Sequence, residues 1–431
     1  MANEQDDLYK RREQRAAYER KRRAKQMRKM RTMLIVAALL IVCGIVIAVL
    51  ISRAVSQNPP PTEPPTEPPV TTAPPSTEPT EPETVIHIVA GGDLNITDAS
   101  VAAGFTGTGY NYTNVFMDVA PILARADLTV LNLEGNVCGA PYGTQSTSAP
   151  PELLQALAAA GVDMLQVANS CSINNGLLGL SDTLDAVRAA GMEPLGAWAN
   201  AEEAEKAQGY TMVNVDGVRV ALVAFTKGMG NLGLPSGSES CVNVLYKDYA
   251  SAYQEVDTEG ITAILSAVQE QKPDITIALL HWGSEYNDLT SKTQEQIVKL
   301  MREQGVDAII GTHPHYVQQV DYDENADTVV AYSLGDFFGS AQTNGTYYSI
   351  LLDLEITRDN ATGKAKITDC DYIPIYTLTP ERDEEAMRVV RLEEAMLGYE
   401  NSYIHKVSAT AYENMKYALD RIRDRVRVDE D

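Results

Sequence analysis

Residues 306–318 read VDAIIGTHPHYVQ: an apolar run, a Gly-Thr step, then two histidines one residue apart. The chain holds five histidines in 431 residues, so two in one short window ask for a reason. Two readings stand. One is a turn that happens to contain histidine. The other is a metal-binding loop at the carboxyl end of a strand, because a short apolar run bounded by glycine fits a buried strand.

Working outward, ITIALLHWG (275–283) is a second apolar run that ends in a histidine, and the helical pattern QEQIVKLMREQG (294–305) separates the two. The alternation extends back to Thr84. TVIHIVAGGD (84–93), ADLTVLNLEG (126–135), VDMLQVAN (162–169) and MEPLGA (192–197) read as strands. VFMDVAPILARA (115–126), PELLQALAAAG (151–161), LSDTLDAVRAAG (180–191) and ITAILSAVQEQ (261–271) have helical spacing. YTMVNVDGVRVALVAF (210–225) reads as a hairpin turning at Asp-Gly. DTVVAYSLGDFF (327–338), TYYSILLDLEI (346–356) and AKITDCDYIPI (365–375) look like further strands, and EEAMRVVRLEEAMLG (384–398) and ATAYENMKYALDRIR (409–423) like closing helices. Strand–helix alternation predicts an α/β domain with buried sheets, joined by antiparallel pieces. No internal repeat is apparent.

The ends have a different character. Residues 1–32 carry twelve Lys or Arg against five Asp or Glu. Residues 33–51, MLIVAALLIVCGIVIAVLI, are 19 uncharged apolar residues, long enough to cross a bilayer core. The basic flank predicts a cytoplasmic N-terminus and places everything beyond residue 51 outside. Cys43 in this run reads as a packing residue. Eleven of the 21 prolines fall in residues 59–82, a stretch expected to extend to about 70 Å within a Pro/Thr/Glu-rich linker over residues 52–83. The expected organisation is a basic tail (1–32), a transmembrane helix (33–51), the linker (52–83), the main domain (84–380) and a C-terminal helical segment (381–431).

Beyond residue 32 the chain has 23 basic against 54 acidic residues. That balance argues against nucleic acid as a partner, since phosphate backbones demand basic surface. An anionic ligand must then be handled by a local feature, such as a metal, against the overall field. Cys138, Cys171, Cys241 and Cys370 form an even set, which permits disulfides without requiring them.

Polar or ionisable residues recur where the predicted strands end: Asp93, Glu134, Asn169, His281, and His313 with His315. Open α/β sheets build sites at the carboxyl ends of their strands. Mixed imidazole and carboxylate donors suit Zn, Mn or Fe, as one or two ions. Two such ions would activate a water against a phosphate or related ester.

The ordered motifs GGD, NLEG, HWGSEY, GTHPHYVQ and YSLGDF resemble the poly-γ-glutamate capsule synthesis protein CapA family across roughly residues 85–340. That family is similar to calcineurin-type metallophosphoesterases. The resemblance implies a four-layer αββα sandwich of metallophosphoesterase type, preceded by one transmembrane helix. It implies Asp93, Glu134, His281, His313 and His315 as metal ligands, with Glu134 in the bridging place and Asp93 and His281 catalytic. Asn169, Trp282, Glu285, Tyr286 and Asp336 would bind substrate. The family pattern Ala-Asn-Asn-His, followed by Asp and Gly, is altered here. Residues 168–176 read ANSCSINNG, so Ser170 stands for the second Asn, Cys171 for the His and Asn174 for the Asp. Asp336 replaces the Asn of YSLGNF, and Asn95 stands where many metallophosphoesterases carry a further histidine. Cys171 is open to three readings: a soft metal ligand, a partner of Cys138 in a rim disulfide, or a buried thiol.

The expected function is a bacterial, single-pass, extracytoplasmic protein. It would act in synthesis, export or attachment of an anionic cell-surface polymer of the poly-γ-glutamate capsule type, beside membrane capsule-synthesis proteins, as a candidate metal-dependent hydrolase. The competing expectation is a non-catalytic polymer-binding or scaffold module that keeps the fold without a full dinuclear site.

Overall fold

The computed structural model describes residues 83–402 and 407–426. The basic tail, residues 33–51, most of the linker and His405 lie outside them. Among the described residues no helix is long and apolar enough to cross a membrane.

Two mixed sheets form the domain. The first contains β1 (Thr84–Asn95), β2 (Leu128–Glu134), β3 (Met164–Gln166), β4 (Glu193–Leu195), β11 (Asp336–Phe338), β12 (Tyr348–Arg358), β13 (Ala365–Leu378) and β14 (Arg388–Arg391). The second contains β5 (Thr211–Val215), β6 (Val218–Thr226), β7 (Ile275–His281), β8 (Ala308–Thr312), β9 (Val320–Asp323) and β10 (Thr328–Ala331). Their orders are β14-β13-β12-β1-β2-β3-β4, with β11 on β1, and β5-β6-β7-β8-β10-β9. β1 to β4 run parallel, as do β6, β7, β8 and β10, while β12 to β14 and the edge strands β5 and β9 are antiparallel.

The layering follows from side chains that alternate across each strand. Ile86, Ile88 and Ala90 of β1 meet Val220, Leu222 and Ala224 of β6, Ile277 and Leu279 of β7 and Ile310 of β8 in a core between the sheets. The intervening Val89 of β1 and Leu131 of β2 pack outward against Leu153, Leu154 and Leu157 of helix Glu152–Ala160. Val223 and Phe225 of β6, Leu280 of β7 and Ile309 of β8 pack outward against Leu265 and Val268 of helix Thr258–Glu270 and Ile297 and Met301 of helix Lys292–Glu303. Strands buried on both faces read as near-continuous apolar runs. The result is the expected αββα sandwich.

Four of the parallel strands, β2, β3, β7 and β8, are clamped at their start. Asp127, Asp163, Asp274 and Asp307 accept the backbone N–H of His87, Thr129, Arg219 and Thr276 on the neighbouring strand, at 2.7–2.8 Å. Each aspartate's own N–H returns to the carbonyl of that neighbour. The device appears twice in each sheet and fixes register at the end remote from the strand-end polar residues.

Several elements differ from expectation. Residues 115–126 hold two short helices, Thr113–Phe116 and Ala120–Leu123, because Pro121 starts a new first turn. DTVVAYSLGDFF is two strands in different sheets, and Gly335, at φ +81°, lies between them. In the C-terminal segment RVVR is not helical; it pairs with β13 as β14, and helix begins only at Leu392. Helix Ala409–Arg425 buries Ala411, Met415, Ala418, Leu419 and Ile422 in the core cluster.

Candidate metal centre

β1 carries its carboxylate through an irregularity. Its register with β2 shifts between Ala90 and Asp93, where GGD sits. Gly92 is needed there: a Cβ would lie 1.7 Å from the carbonyl oxygen of Gly335. This close approach lets Asp93 N–H donate to that carbonyl at 3.1 Å and brings β11 alongside. Asp336 on β11 thereby lies in register with Asp93. Glu134 ends β2, His281 ends β7, and His313 and His315 follow β8. Both of the latter residues adopt positive φ, +92° and +58°. Non-glycine residues adopt that region at a cost of order 1 kcal/mol or more, and such strain clusters at functional sites.

Six side chains converge into two buried sets able to hold a metal ion: Glu134, His281 and His313, and Asp93, His315 and Asp336. The sets touch. His315 Nε2 of the second set lies 3.7 Å from Glu134 Oε2 of the first, whose Oε1 is 3.3 Å from His281 Nε2 in its own set. Asp93 reaches both, 3.7 Å from His281 Nδ1 and 3.7 Å from His315 Nδ1. His313 Nδ1 and His281 Nε2 are 3.1 Å apart, and His315 Nδ1 is 2.7 Å from Asp336 Oδ1.

A surrounding layer holds these groups. Asn132 Nδ2 donates to Asp93 Oδ1 at 2.5 Å, and Asn169 Nδ2 donates to Asn132 Oδ1 at 3.1 Å and to the Leu133 carbonyl at 2.6 Å. His281 Nδ1 lies 3.0 Å from Thr312 Oγ1. His313 N–H donates to Asp93 Oδ2 at 3.0 Å, and Ser170 Oγ to Glu134 Oε1 at 2.6 Å.

Burial sets the electrostatics. It raises Asp93, with the nearby Glu134 charge adding to it. Burial also pushes Glu134 up, but attraction to His315, His281 and His313 outweighs it and holds this carboxyl below the usual range. Burial raises Asp336 to about 7 against the pull of His315. Burial disfavours a charged His315, yet Asp336, Glu134 and Asp93 together raise it well above the usual imidazole range. Burial and His281 hold His313 well below that range.

The fit to a divalent cation rests on the donor set. Three imidazoles and three carboxylates, all buried, face one another, and Glu134 Oε2 has no hydrogen-bond partner. A buried carboxylate oxygen left unpaired is costly unless a cation or donor satisfies it. Nitrogen and oxygen donors in this ratio suit Zn, Mn or Fe.

Asp93, Glu134, His281, His313 and His315 are therefore brought together. Asp336, expected to bind substrate, is instead a buried member of the second set. Asn169 is fully buried and acts through Asn132. Trp282 does not line the site: it is fully buried in the outer core of the second sheet, stacked on Tyr332 with its indole N–H on the Tyr332 carbonyl at 2.9 Å. Glu285 is exposed. Tyr286, half exposed, stacks on His315 with ring centroids 5.4 Å apart. All four described cysteines are free, so Cys138 and Cys171 form no disulfide. Burial and the Glu134 charge push the Cys171 thiol up to about 12, and Cys171 belongs to neither candidate set. Sequence reasoning missed Asn132 and Thr312. The available signal for Asn132 was a polar residue inside the apolar run TVLNL.

Fold and site define a four-layer α/β sandwich protein with a buried imidazole–carboxylate centre suited to divalent cations. The chain belongs to the family described as bacterial capsule synthesis protein PGA_cap, whose model matches residues 87–340. It is 28% identical over 265 residues to the capsule biosynthesis protein CapA of Bacillus anthracis, covering 59% of this chain and 60% of that protein. It is 26% identical over 275 residues to the PGA biosynthesis protein CapA of Bacillus subtilis (strain 168), covering 62% and 66%. The matches thus span about three-fifths to two-thirds of those relatives' lengths. Among solved structures it is similar to the calcineurin-like phosphoesterase YfkN from Bacillus subtilis, with a TM-score of 0.42 and 13% identity over 80% of this chain and 99% of that one. A phosphatase from Mycoplasma pneumoniae gives 0.41 and 13%, over 68% and 94%.

Proposed function

We propose that this chain is a membrane-anchored, extracytoplasmic protein of capsule synthesis. It acts on an anionic cell-surface polymer of the poly-γ-glutamate type as a metal-dependent hydrolase. Residues 33–51 provide the anchor and residues 52–83 the spacer in this reading. Family membership and the names of the two curated relatives support the polymer. The observation that carries the chemistry is the pair of touching buried sets, with Glu134 Oε2 between them lacking a hydrogen-bond partner.

A divalent cation held by these residues supplies Lewis-acid polarisation of an ester or amide oxygen and lowers the pKa of a water. The chain's own residues do the rest. Asp93 and Glu134 reach both sets and balance the ion's charge. Asn132, backed by Asn169, fixes Asp93; Thr312 orients His281; Ser170 orients Glu134. Tyr286 covers one face of His315. Cys171, kept as a thiol at neutral pH, does not replace an imidazole as a proton donor. The reading is therefore of a hydrolase without a histidine acid at that position.

The test is elemental mass spectrometry of the purified full chain after incubation with Zn, Mn or Fe, beside His313→Ala/His315→Ala. Stoichiometric metal in the first and its loss in the second is expected. A folded wild-type chain that takes no metal overturns the hydrolase and leaves a polymer-binding module.

A further inference from the structure

We propose that Lys227 is the anion-recognition residue of this site, holding a carboxylate or phosphoryl oxygen of the substrate beside Glu134, His281 and His313. The inference rests on the anionic-polymer reading above and names the group that would recognise it.

Lys227 follows β6 as His281 ends β7. Thr226 is in register with His281, and Lys227 N–H donates to the His281 carbonyl at 2.7 Å. The lysine is thus locked one residue from the centre, by the same strand-end rule that delivers the histidines. Its ammonium donates to the Gly283 carbonyl at 2.7 Å and lies 4.7 Å from the Tyr253 ring centroid. An ammonium has three donors. One carbonyl and one aromatic face leave capacity for a ligand oxygen.

Two features make this cation unusual. The described residues contain 20 Lys or Arg against 47 Asp or Glu, and of the seven that make no ion pair among them, Lys227 alone is not exposed. It is also half-buried, and burial lowers its pKa while the Glu285 charge works the other way. A partly desolvated, unpaired lysine in so acidic a domain carries an electrostatic cost offset structurally by only one hydrogen bond and one aromatic contact. The carbonyl that its ammonium holds, Gly283, lies two residues past His281. The six side chains of the centre are carboxylates and imidazoles. An anionic substrate approaching a domain of strongly negative charge needs a local positive group, and Lys227 supplies it.

The test uses the full chain loaded with metal. Two probes are titrated calorimetrically: a synthetic γ-linked glutamate decamer and inorganic phosphate. The variants are Lys227→Gln, which keeps a donor for Gly283 but removes the charge, and Lys227→Arg, which keeps the charge. The expected result is that Lys227→Gln weakens decamer binding about tenfold or more and flattens its dependence on salt, while Lys227→Arg stays within a few-fold of wild type. Metal stoichiometry should be equal in all three. Wild-type binding of phosphate but not of the decamer, lost in Lys227→Gln, would assign the anion as phosphoryl. Equal binding by wild type and Lys227→Gln, with equal salt dependence, overturns the role of Lys227 alone. Failure of the metal-loaded wild type to bind either probe overturns the anionic-polymer reading itself.

Discussion

The hydroxyl of Ser170 donates to Oε1 of Glu134 at 2.6 Å, while Oε2 of the same buried carboxylate has no hydrogen-bond partner. One oxygen is held and the other is presented. Ser170 stands where the resemblance expects an asparagine, and its hydroxyl keeps a polar contact to the centre through the Glu134 carboxylate. Ser170→Ala should release Glu134 and weaken metal binding about tenfold or more, as loss of an outer-layer partner generally does. Ser170→Thr should retain most of the affinity. Competition with a chelator of known affinity measures both; equal affinity in Ser170→Ala would show that Glu134 is held by other groups.

Gly92 is where backbone packing sets the position of Asp93. Its added Cβ would fall 1.7 Å from the Gly335 carbonyl oxygen, and that carbonyl is itself tied to Asp93 N–H. Neither backbone can retreat without separating β11 from β1 and Asp336 from Asp93. Gly92→Ala is expected to lower stability by about 3 kcal/mol or more and to abolish metal uptake. Gly109→Ala, where a Cβ meets nothing within 4 Å, should stay within about 0.5 kcal/mol of wild type. Urea denaturation of both, with metal analysis, tests the contrast.

Trp282 separates packing from recognition. Its indole N–H on the Tyr332 carbonyl and its place in the outer core make it a wall of the second sheet rather than of the site. Trp282→Phe leaves that buried carbonyl without its donor and should cost about 1–3 kcal/mol. Metal stoichiometry in the folded fraction should not change. If metal is lost at full stability, Trp282 reaches the site after all.

Trp282 and Asp336 also show how far the sequence could be read. Strand-end placement was legible for Asp93, Glu134, His281, His313 and His315, because apolar periodicity marks where strands stop and fold rules say which end matters. The resemblance implies a pocket role for Trp282 through the motif it shares with His281, but the face taken by a residue after a strand is not written in the sequence, and the fold turns Trp282 into the outer core. In the sequence Asp336 lies within one long apolar segment, residues 327–338. The turn at Gly335 carries the chain from one sheet to the other, a step that local pattern does not mark. RVVR reads as helix because the pattern on either side of it is helical. Pairing with β13, a tertiary contact, makes it a strand. Lys227 obeys the strand-end rule in the sequence itself, but a lysine after an apolar run is so ordinary that only the fold, which half-buries it without an ion pair, singles it out.

The aspartate clamps predict a pH dependence away from the centre. Asp307 accepts Thr276 N–H at 2.8 Å before β8, and burial, aided by Asp327 and opposed by that hydrogen bond, raises its carboxyl to about 6. The unfolded chain ionises this group near 3.8, whereas the folded chain keeps its proton until about 6. Between those values the folded state binds more protons, so stability falls as pH rises through the window. Below about pH 4 the group is neutral in both states and contributes no penalty. Asp307→Asn keeps an oxygen for Thr276 and removes the ionisation. Its stability relative to wild type should therefore rise from pH 4 to pH 7 by about 1–3 kcal/mol, the difference cancelling the other titrating groups. Denaturant midpoints of the two chains at pH 4, 5, 6 and 7 test it. A difference that is constant with pH would mean that Asp307 ionises in the folded chain as it does in the unfolded one, and that its clamp works equally well as a carboxylate.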